Sequence, residues 1–323
     1  MADQFTRREF LAVSGASGIV LAGAASAARQ APGEFKTKLY KSLITGKISE
    51  KSLAKMKAAG FDGVECGAWG AKPADAEKAR AIAEKTGMKI HSVLRGWMGM
   101  NNPKSVDGSV KSLETALKSA AGYGASAVLA VPCRVGGKGL PQPWEFDIEF
   151  DEKTAMVTRV VKGDNTKYKA YIEAQNLATK MSREALKRAA AVAEKTKVVI
   201  AVENVWNNLW VKPDLAASFI RSIDSPWVQY YFDIGNHVKY APPEEWIRAL
   251  GKMIVKCHVK DFKLKPDGRG GSFCNIRDGS VNWPLVRKEL DKIGYSGWMT
   301  IEGSGGLSME EKSKRLDLII AGK

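Results

Sequence analysis

The chain has 323 residues, 50 of them basic and 35 acidic, and a formal charge of +15 at neutral pH. The lysines are scattered along helix-like segments such as EKSLAKMKAAG and SREALKRAAAVAEKTK with no long basic run, so the excess reads as a solvated basic surface. The four cysteines, Cys66, Cys133, Cys257 and Cys274, lack the CxxC spacing of a thiolate zinc or redox centre and are expected to be free thiols.

The first residues carry the pair Arg7 and Arg8, then Phe10 and Leu11, an apolar stretch to about Ala25, and the small residues Ala25, Ser26 and Ala27. A basic start, a short apolar region and a small-residue ending are the parts of an export signal, and the paired arginines are similar to those of twin-arginine signals. Residues 1–27 are therefore expected to be removed on export to the periplasm. The apolar run is too short and too rich in Gly, Ala and Ser for a stable membrane span, and no other segment resembles one. Cleavage would leave residues 28–323, about 295 residues, as a single domain with the length of one complete barrel.

From there strand-like and helix-like segments alternate to the end of the chain. KLYKSLI precedes a helix over 53–59, GVEC a helix starting at Pro73, MKIHSVL a helix over 110–121, and ASAVLAV, after an insertion, a long helix over 171–194. VVIAVE precedes 213–223, WVQYYFD precedes 243–250, KCHVKD precedes 283–293 and GWMTIE precedes 309–320. Apolar, β-branched strands alternating with amphipathic helices predict a buried parallel sheet, and eight such units favour a closed (β/α)8 TIM barrel over an open doubly wound sheet. The insertion covers about residues 132–169 and contains WEFDIEF and AMVTRVV, a pattern that predicts a β-hairpin after the fourth strand. From there it can fold over the barrel mouth or meet another copy in a homo-oligomer.

Four strands of the second half end on a metal-competent side chain: VVIAVE at Glu203, WVQYYFD at Asp233, MIVKCH at His258 and GWMTIE at Glu302. The carboxyl ends of all strands of such a barrel converge on one face, so these residues are expected to meet. Three carboxylates and one imidazole form a hard donor set that suits Mn²⁺ first, with Mg²⁺, Co²⁺ or Zn²⁺ as alternatives. A divalent ion there would polarise the carbonyl of an α-hydroxy ketone or aldehyde and stabilise the enediolate left when the adjacent C–H proton departs. Glu203 and Glu302, from the fifth and eighth strands, could approach opposite faces of the substrate, one taking the proton and the other returning it.

Other polar groups gather near the same strand ends. Trp206 follows Glu203, Lys260 follows His258 by two, Arg277 lies in the loop after the seventh strand, and His91 lies on the third. Trp206 could stack on a sugar, and Lys260 or Arg277 could hold an anion, although Lys260 could equally pair with the adjacent Asp261. His91 is readable as a ligand contact or as a core histidine. The run Gly303, Ser304, Gly305, Gly306 after the eighth strand has the composition of a phosphate loop, but export favours an unphosphorylated carbohydrate.

The chain resembles the sugar phosphate isomerase/epimerase family, the xylose-isomerase-like TIM barrels. AGFDGVE, AVEN, YFDIGNH, KCHVKDF and DGSVNWPLVRKELDKIGYSGWMTIEG carry the resemblance over most of the mature chain. It implies the barrel fold, a small carbohydrate substrate, and metal ligation by Glu203, Asp233, His258 and Glu302. In the epimerase branch the two glutamates so placed also exchange protons with the substrate. Epimerase-type members often have a substrate-touching histidine three residues after the sixth-strand aspartate. Here Asn236 stands at that position and His237 beside it, so both join the substrate-binding candidates. Endonuclease IV shares the fold, but its trinuclear site needs many more histidines than His91, His237 and His258, so no nucleic-acid partner is expected. Two readings compete with isomerisation or epimerisation: elimination or hydrolysis of 3-keto-glycosides, and a noncatalytic carbohydrate-binding barrel.

Overall fold

A computed structural model describes residues 35–136 and 139–323, so the expected signal and its cleavage site lie outside the described residues. In chain order the strands are β1 (Leu39–Thr45), β2 (Gly63–Cys66), β3 (Lys89–Trp97), β4 (Ala127–Val131), β5 (Glu149–Asp151), β6 (Met156–Arg159), β7 (Val199–Glu203), β8 (Val228–Asp233), β9 (Ile254–Val259), β10 (Asp261–Leu264), β11 (Gly271–Cys274) and β12 (Gly297–Ile301). Eight of them close into a parallel barrel in the order β1, β12, β9, β8, β7, β4, β3, β2. This is the TIM barrel the alternating segments predict.

The surrounding helices are α1 (Glu50–Ala58), α2 (Pro73–Lys85), α3 (Val106–Tyr123), α4 (Lys169–Thr196), α5 (Pro213–Ile223), α6 (Pro243–Leu250), α7 (Trp283–Lys292) and α8 (Met309–Ile320). Their starts are written locally. Proline is the first residue of α2, α5 and α6, where its missing N–H costs nothing and its φ is already helical. Ser49, Asn282 and Ser308 cap α1, α7 and α8 by accepting from Ser52, Leu285 and Glu311 N–H groups. No helix of the described residues is long and apolar enough to cross a membrane. All four cysteines are free.

Two segments differ from expectation in extent. Within the insertion, β5 and β6 pair antiparallel, but the pairing begins at Glu149, while Trp144 and Glu145 lie in a turn and Phe146 is buried against Tyr171 and Tyr240. WEFDIEF therefore uses Phe146 for packing instead of for a strand, while Trp144 stays exposed in the turn. The second is a hairpin of β10 and β11 that the alternation of segments did not predict, in the connection between β9 and α7.

Asp261, at the start of that hairpin, organises the connection. Its fully buried carboxylate accepts from the N–H groups of Phe262, Arg277, Gly279 and Val281 and from Trp283 Nε1. Gly279 is required there, because a Cβ would sit 2.0 Å from Asp261 Oδ1. Asp261→Ala would orphan several buried donors at about 1–3 kcal/mol each, so a loss above about 3 kcal/mol is expected. Urea denaturation monitored by tryptophan fluorescence measures it, and a change within 1 kcal/mol, the scale of an ordinary surface substitution, would contradict this account.

Candidate metal centre

Glu203, Asp233, His258 and Glu302 come from β7, β8, β9 and the residue after β12, four strands that are consecutive around the barrel. Registration does the rest: Asp233 pairs with His258 across β8 and β9, and His258 pairs with Thr300 across β9 and β12. One ligand atom from each of the four lies within 4.8 Å of the other three. The four side chains thus converge at the strand ends, as the closed barrel requires.

Asp233 is clamped from both sides. Its N–H donates to Asn204 Oδ1 and its carbonyl accepts from Asn204 Nδ2, each at 2.8 Å. Its Oδ1 accepts from the N–H groups of Gly235 and Asn236, also at 2.8 Å. Oδ2 is left buried without a hydrogen bond, with Lys260 Nζ at 3.4 Å and His258 Nδ1 at 4.0 Å. Gly235 permits this turn to press on the next strand, since a Cβ would lie 2.6 Å from the Lys260 carbonyl carbon.

His258 uses both ring nitrogens. Nδ1 lies 2.9 Å from Glu203 Oε1 and 3.2 Å from Glu302 Oε2. Nε2 lies 2.6 Å from Glu65 Oε2, while the other oxygen of Glu65 accepts from Ser92 Oγ. Glu65 is fully buried near the end of β2. A carboxylate behind a ligating imidazole orients the ring and strengthens it as a donor. Glu65 was missed in the sequence, although GVEC ends a strand just as the four ligand runs do.

The electrostatics follow from three carboxylates sharing one point, Glu203 and Asp233 buried and Glu302 partly so. Burial pushes Asp233 up to about 7, against the pull of Lys260 and with the negative charges of Glu302 and Glu203 adding. Burial also raises Glu203, outweighing its hydrogen bond and charge pairing with His258. For Glu302 burial is outweighed by His258 and Lys260, so its carboxyl is held below the usual range. Burial opposes the charged form of His258, yet the neighbouring Tyr231 and Glu65 and the hydrogen bonds to Glu203 and Glu302 keep its pKa well above that of a free imidazole. A point that concentrates negative charge, with Asp233 Oδ2 left without a hydrogen bond, fits a divalent cation held by hard oxygens and one imidazole nitrogen.

The remaining candidates divide. Lys260 belongs to the cluster and not to Asp261: its Nζ is 2.9 Å from Glu302 Oε2 and 3.2 Å from Asn236 Oδ1. Asn236 also donates to Asn204 O, and its own carbonyl accepts from Trp206 Nε1. Arg277 is exposed, and its backbone N–H serves Asp261. His91 is a core histidine: its Nε2 lies 2.8 Å from Ser42 Oγ and 3.0 Å from Thr300 Oγ1, its ring stacks on Trp298, and its Nδ1 is buried without a hydrogen bond. His237 is packed against Tyr240 and Trp246 with Nε2 2.8 Å from Val205 O, and burial pushes its pKa down to about 3. Among the described residues neither histidine forms a hydrogen bond or ion pair with the four strand-end ligands. In the glycine-rich run, buried Ser304 accepts from Ile276 N–H, which ties this loop to the β9 to α7 connection.

The profile of the xylose isomerase-like TIM barrel family matches residues 53–317. This chain belongs to that family. Over 135 residues, 41% of the chain, this family member is 30% identical to the L-ribulose-5-phosphate 3-epimerase UlaE of Escherichia coli K12, and the match spans 45% of that enzyme. Among solved structures, the 3-keto-D-glucoside 4-epimerase YcjR of Escherichia coli superposes with a TM-score of 0.63 at 15% identity, covering 87% of this chain and 99% of that one. A xylose isomerase-like TIM barrel protein of Mycobacterium smegmatis in complex with magnesium gives 0.60 at 16% identity, covering 88% and 97%. At these identities the superpositions speak to the fold alone.

Proposed function

We propose that this protein is a divalent-metal-dependent isomerase or epimerase of an unphosphorylated carbohydrate. The observation that carries the reading is the convergence of Glu203, Asp233, His258 and Glu302 on one point, where the buried Asp233 Oδ2 faces Lys260 Nζ at 3.4 Å and His258 Nδ1 at 4.0 Å. The family relationship to sugar epimerases supports it. The four residues would hold Mn²⁺ or Mg²⁺, which when bound would polarise the substrate carbonyl and offset the negative charge that builds as a neighbouring C–H proton leaves.

The chain's own groups supply the rest. Glu203 is almost wholly buried and Glu302 has a third of its side chain open; in this reading one carboxyl serves each face of a bound sugar. One carboxylate takes the proton from the carbon beside the carbonyl, and the other carboxyl returns a proton to the opposite face of that carbon, which inverts it. Return to the former carbonyl carbon instead interconverts aldose and ketose. Lys260 keeps an ammonium beside Glu302, where it can hold that carboxylate in place or donate to a substrate oxygen. Asn204 and Asn236 fix Asp233 from behind and leave its Oδ2 facing the cluster.

Incubating the metal-loaded protein in D₂O with a panel of ketoses, aldoses and 3-keto-glycosides tests this. Deuterium at an inverted or newly reduced carbon is expected. Release of an aglycone without inversion would replace the reading by elimination, and chelator-insensitive sugar binding without any exchange would leave a noncatalytic barrel.

The same reading places the protein in the periplasm, on the motive of Arg7, Arg8 and the Ala25, Ser26, Ala27 ending. Arg7→Lys with Arg8→Lys is expected to retain the folded, uncleaved chain in the cytoplasm. Fractionation and the mass of the mature N-terminus report it, and unimpaired export of the double variant would remove the twin-arginine assignment.

A further inference from the structure

Two large rings at the barrel mouth stand open to solvent: Trp97, ending β3, is 47% exposed and Phe273, on β11, is 43% exposed. Both belong to an arc of side chains that begins at the metal cluster. Lys260 Nζ, which pairs with Glu302, lies 5.0 Å from the centre of the Phe273 ring. Phe273 stacks on Trp206 with ring centres 4.7 Å apart. Arg134 donates from Nη2 to Trp206 O at 2.9 Å, and its guanidinium lies 4.7 Å from the centre of the Trp97 ring. Arg95 then donates to Trp97 O at 3.0 Å.

The arc alternates rings and cations: Lys260 is paired with Glu302 and Asp233, while the two guanidinium groups meet no acid. Among the described residues neither Arg95 nor Arg134 forms an ion pair. Exposed aromatic surface beside guanidinium groups that meet no acid is a surface on which an anionic ligand with an apolar face can be held. Aromatic rings offer flat apolar surface to the C–H face of a sugar, and a guanidinium takes a carboxylate through two parallel N–H bonds. A single reacting sugar at the cluster is within reach of Lys260 and Trp206. Arg134 follows Trp206 along the arc and Trp97 follows Arg134, each a further contact away from Lys260.

We propose that Phe273, Trp206, Arg134 and Trp97 form a subsite for a second sugar ring that carries a carboxylate, so that the ligand is an acidic glycan of at least two rings. The inference rests on the carbohydrate reading of the cluster and extends it to substrate class. Continuity with the cluster through Lys260 selects a ligand that spans both places over a protein partner seated on the rim alone.

The test is calorimetric titration of the full chain in its Glu302→Gln form, so that turnover does not confound binding. The probes are dimers and trimers of galacturonate, mannuronate and guluronate, the corresponding monomers, and neutral hexose dimers. At least one uronate dimer is expected to bind about tenfold or more tightly than its monomer and its neutral counterpart, a gap of the size a charge-assisted contact supplies. Trp97→Ala with Arg134→Ala should erase that gap and leave monomer affinity unchanged. Equal affinities for dimers and monomers, absence of binding by every dimer, or a gap that survives the double variant would overturn the subsite. A change of oligomeric state in the double variant by light scattering, with glycan affinity unchanged, would assign the rim to a subunit interface and overturn it too. Failure of the D₂O exchange experiment with a positive result here would reject the isomerase reading and keep the subsite.

Discussion

Glu203→Gln and Glu302→Gln are expected to lose turnover by about 10²–10⁴ while retaining most of their metal, because an amide keeps a ligating oxygen and cannot accept a proton as a base. The two effects separate a ligand from an acid or base. In an epimerase that uses one carboxyl on each face, one of the variants should still exchange the substrate C–H proton with solvent, since abstraction and return belong to different groups. Metal content, turnover and deuterium exchange measured on the same preparations decide the matter. Near-native turnover in both variants would reduce the glutamates to ligands and remove the acid and base from the mechanism.

Metal affinity should fall in every variant that disturbs the cluster, and by graded amounts. Asp233→Ala and His258→Ala each delete a donor, and Glu65→Gln removes the negative charge behind His258 Nε2, a change of about 10–100-fold for such supporting carboxylates. Competition with a chromophoric chelator reads all three directly, with circular dichroism as the check on folding. Full affinity in Asp233→Ala and His258→Ala would refute the site. Full affinity in Glu65→Gln alone would show that Ser92 and the barrel wall hold the imidazole without help from the charge.

Much of this molecule is legible in the chain because its signals are local. The first residues of α2, α5 and α6 are prolines at positions readable before any folding, and α5, α6 and α8 have the bounds that periodicity predicts. The four strand-end ligands are equally legible, since apolar β-branched runs ending on Glu, Asp or His need only the convergence rule of a closed barrel to be brought together. The β10 and β11 hairpin went unpredicted, although KLKPDGRGGSF contains a proline, an aspartate and three glycines of the kind that make turns.

Other features were decided by tertiary structure. Lys260 and Asp261 are neighbours in sequence, yet successive side chains of an extended segment point to opposite sides, so one enters the metal cluster and the other is buried beneath the connection to α7. His91 and His237 carry the same chemistry as His258, and only the register and packing of the barrel reveal that they meet Ser42 and Val205 instead of carboxylates. Glu65 supports a histidine 193 residues away, and Arg134 meets Trp206 across 72. Residue type, periodicity and end signals act over a few positions and are present in the chain itself. Which side chain faces which depends on how the barrel closes and on the irregularities of its register, such as the shifts at Val64/Glu65 and Tyr230/Tyr231, and those exist only once all eight strands are paired.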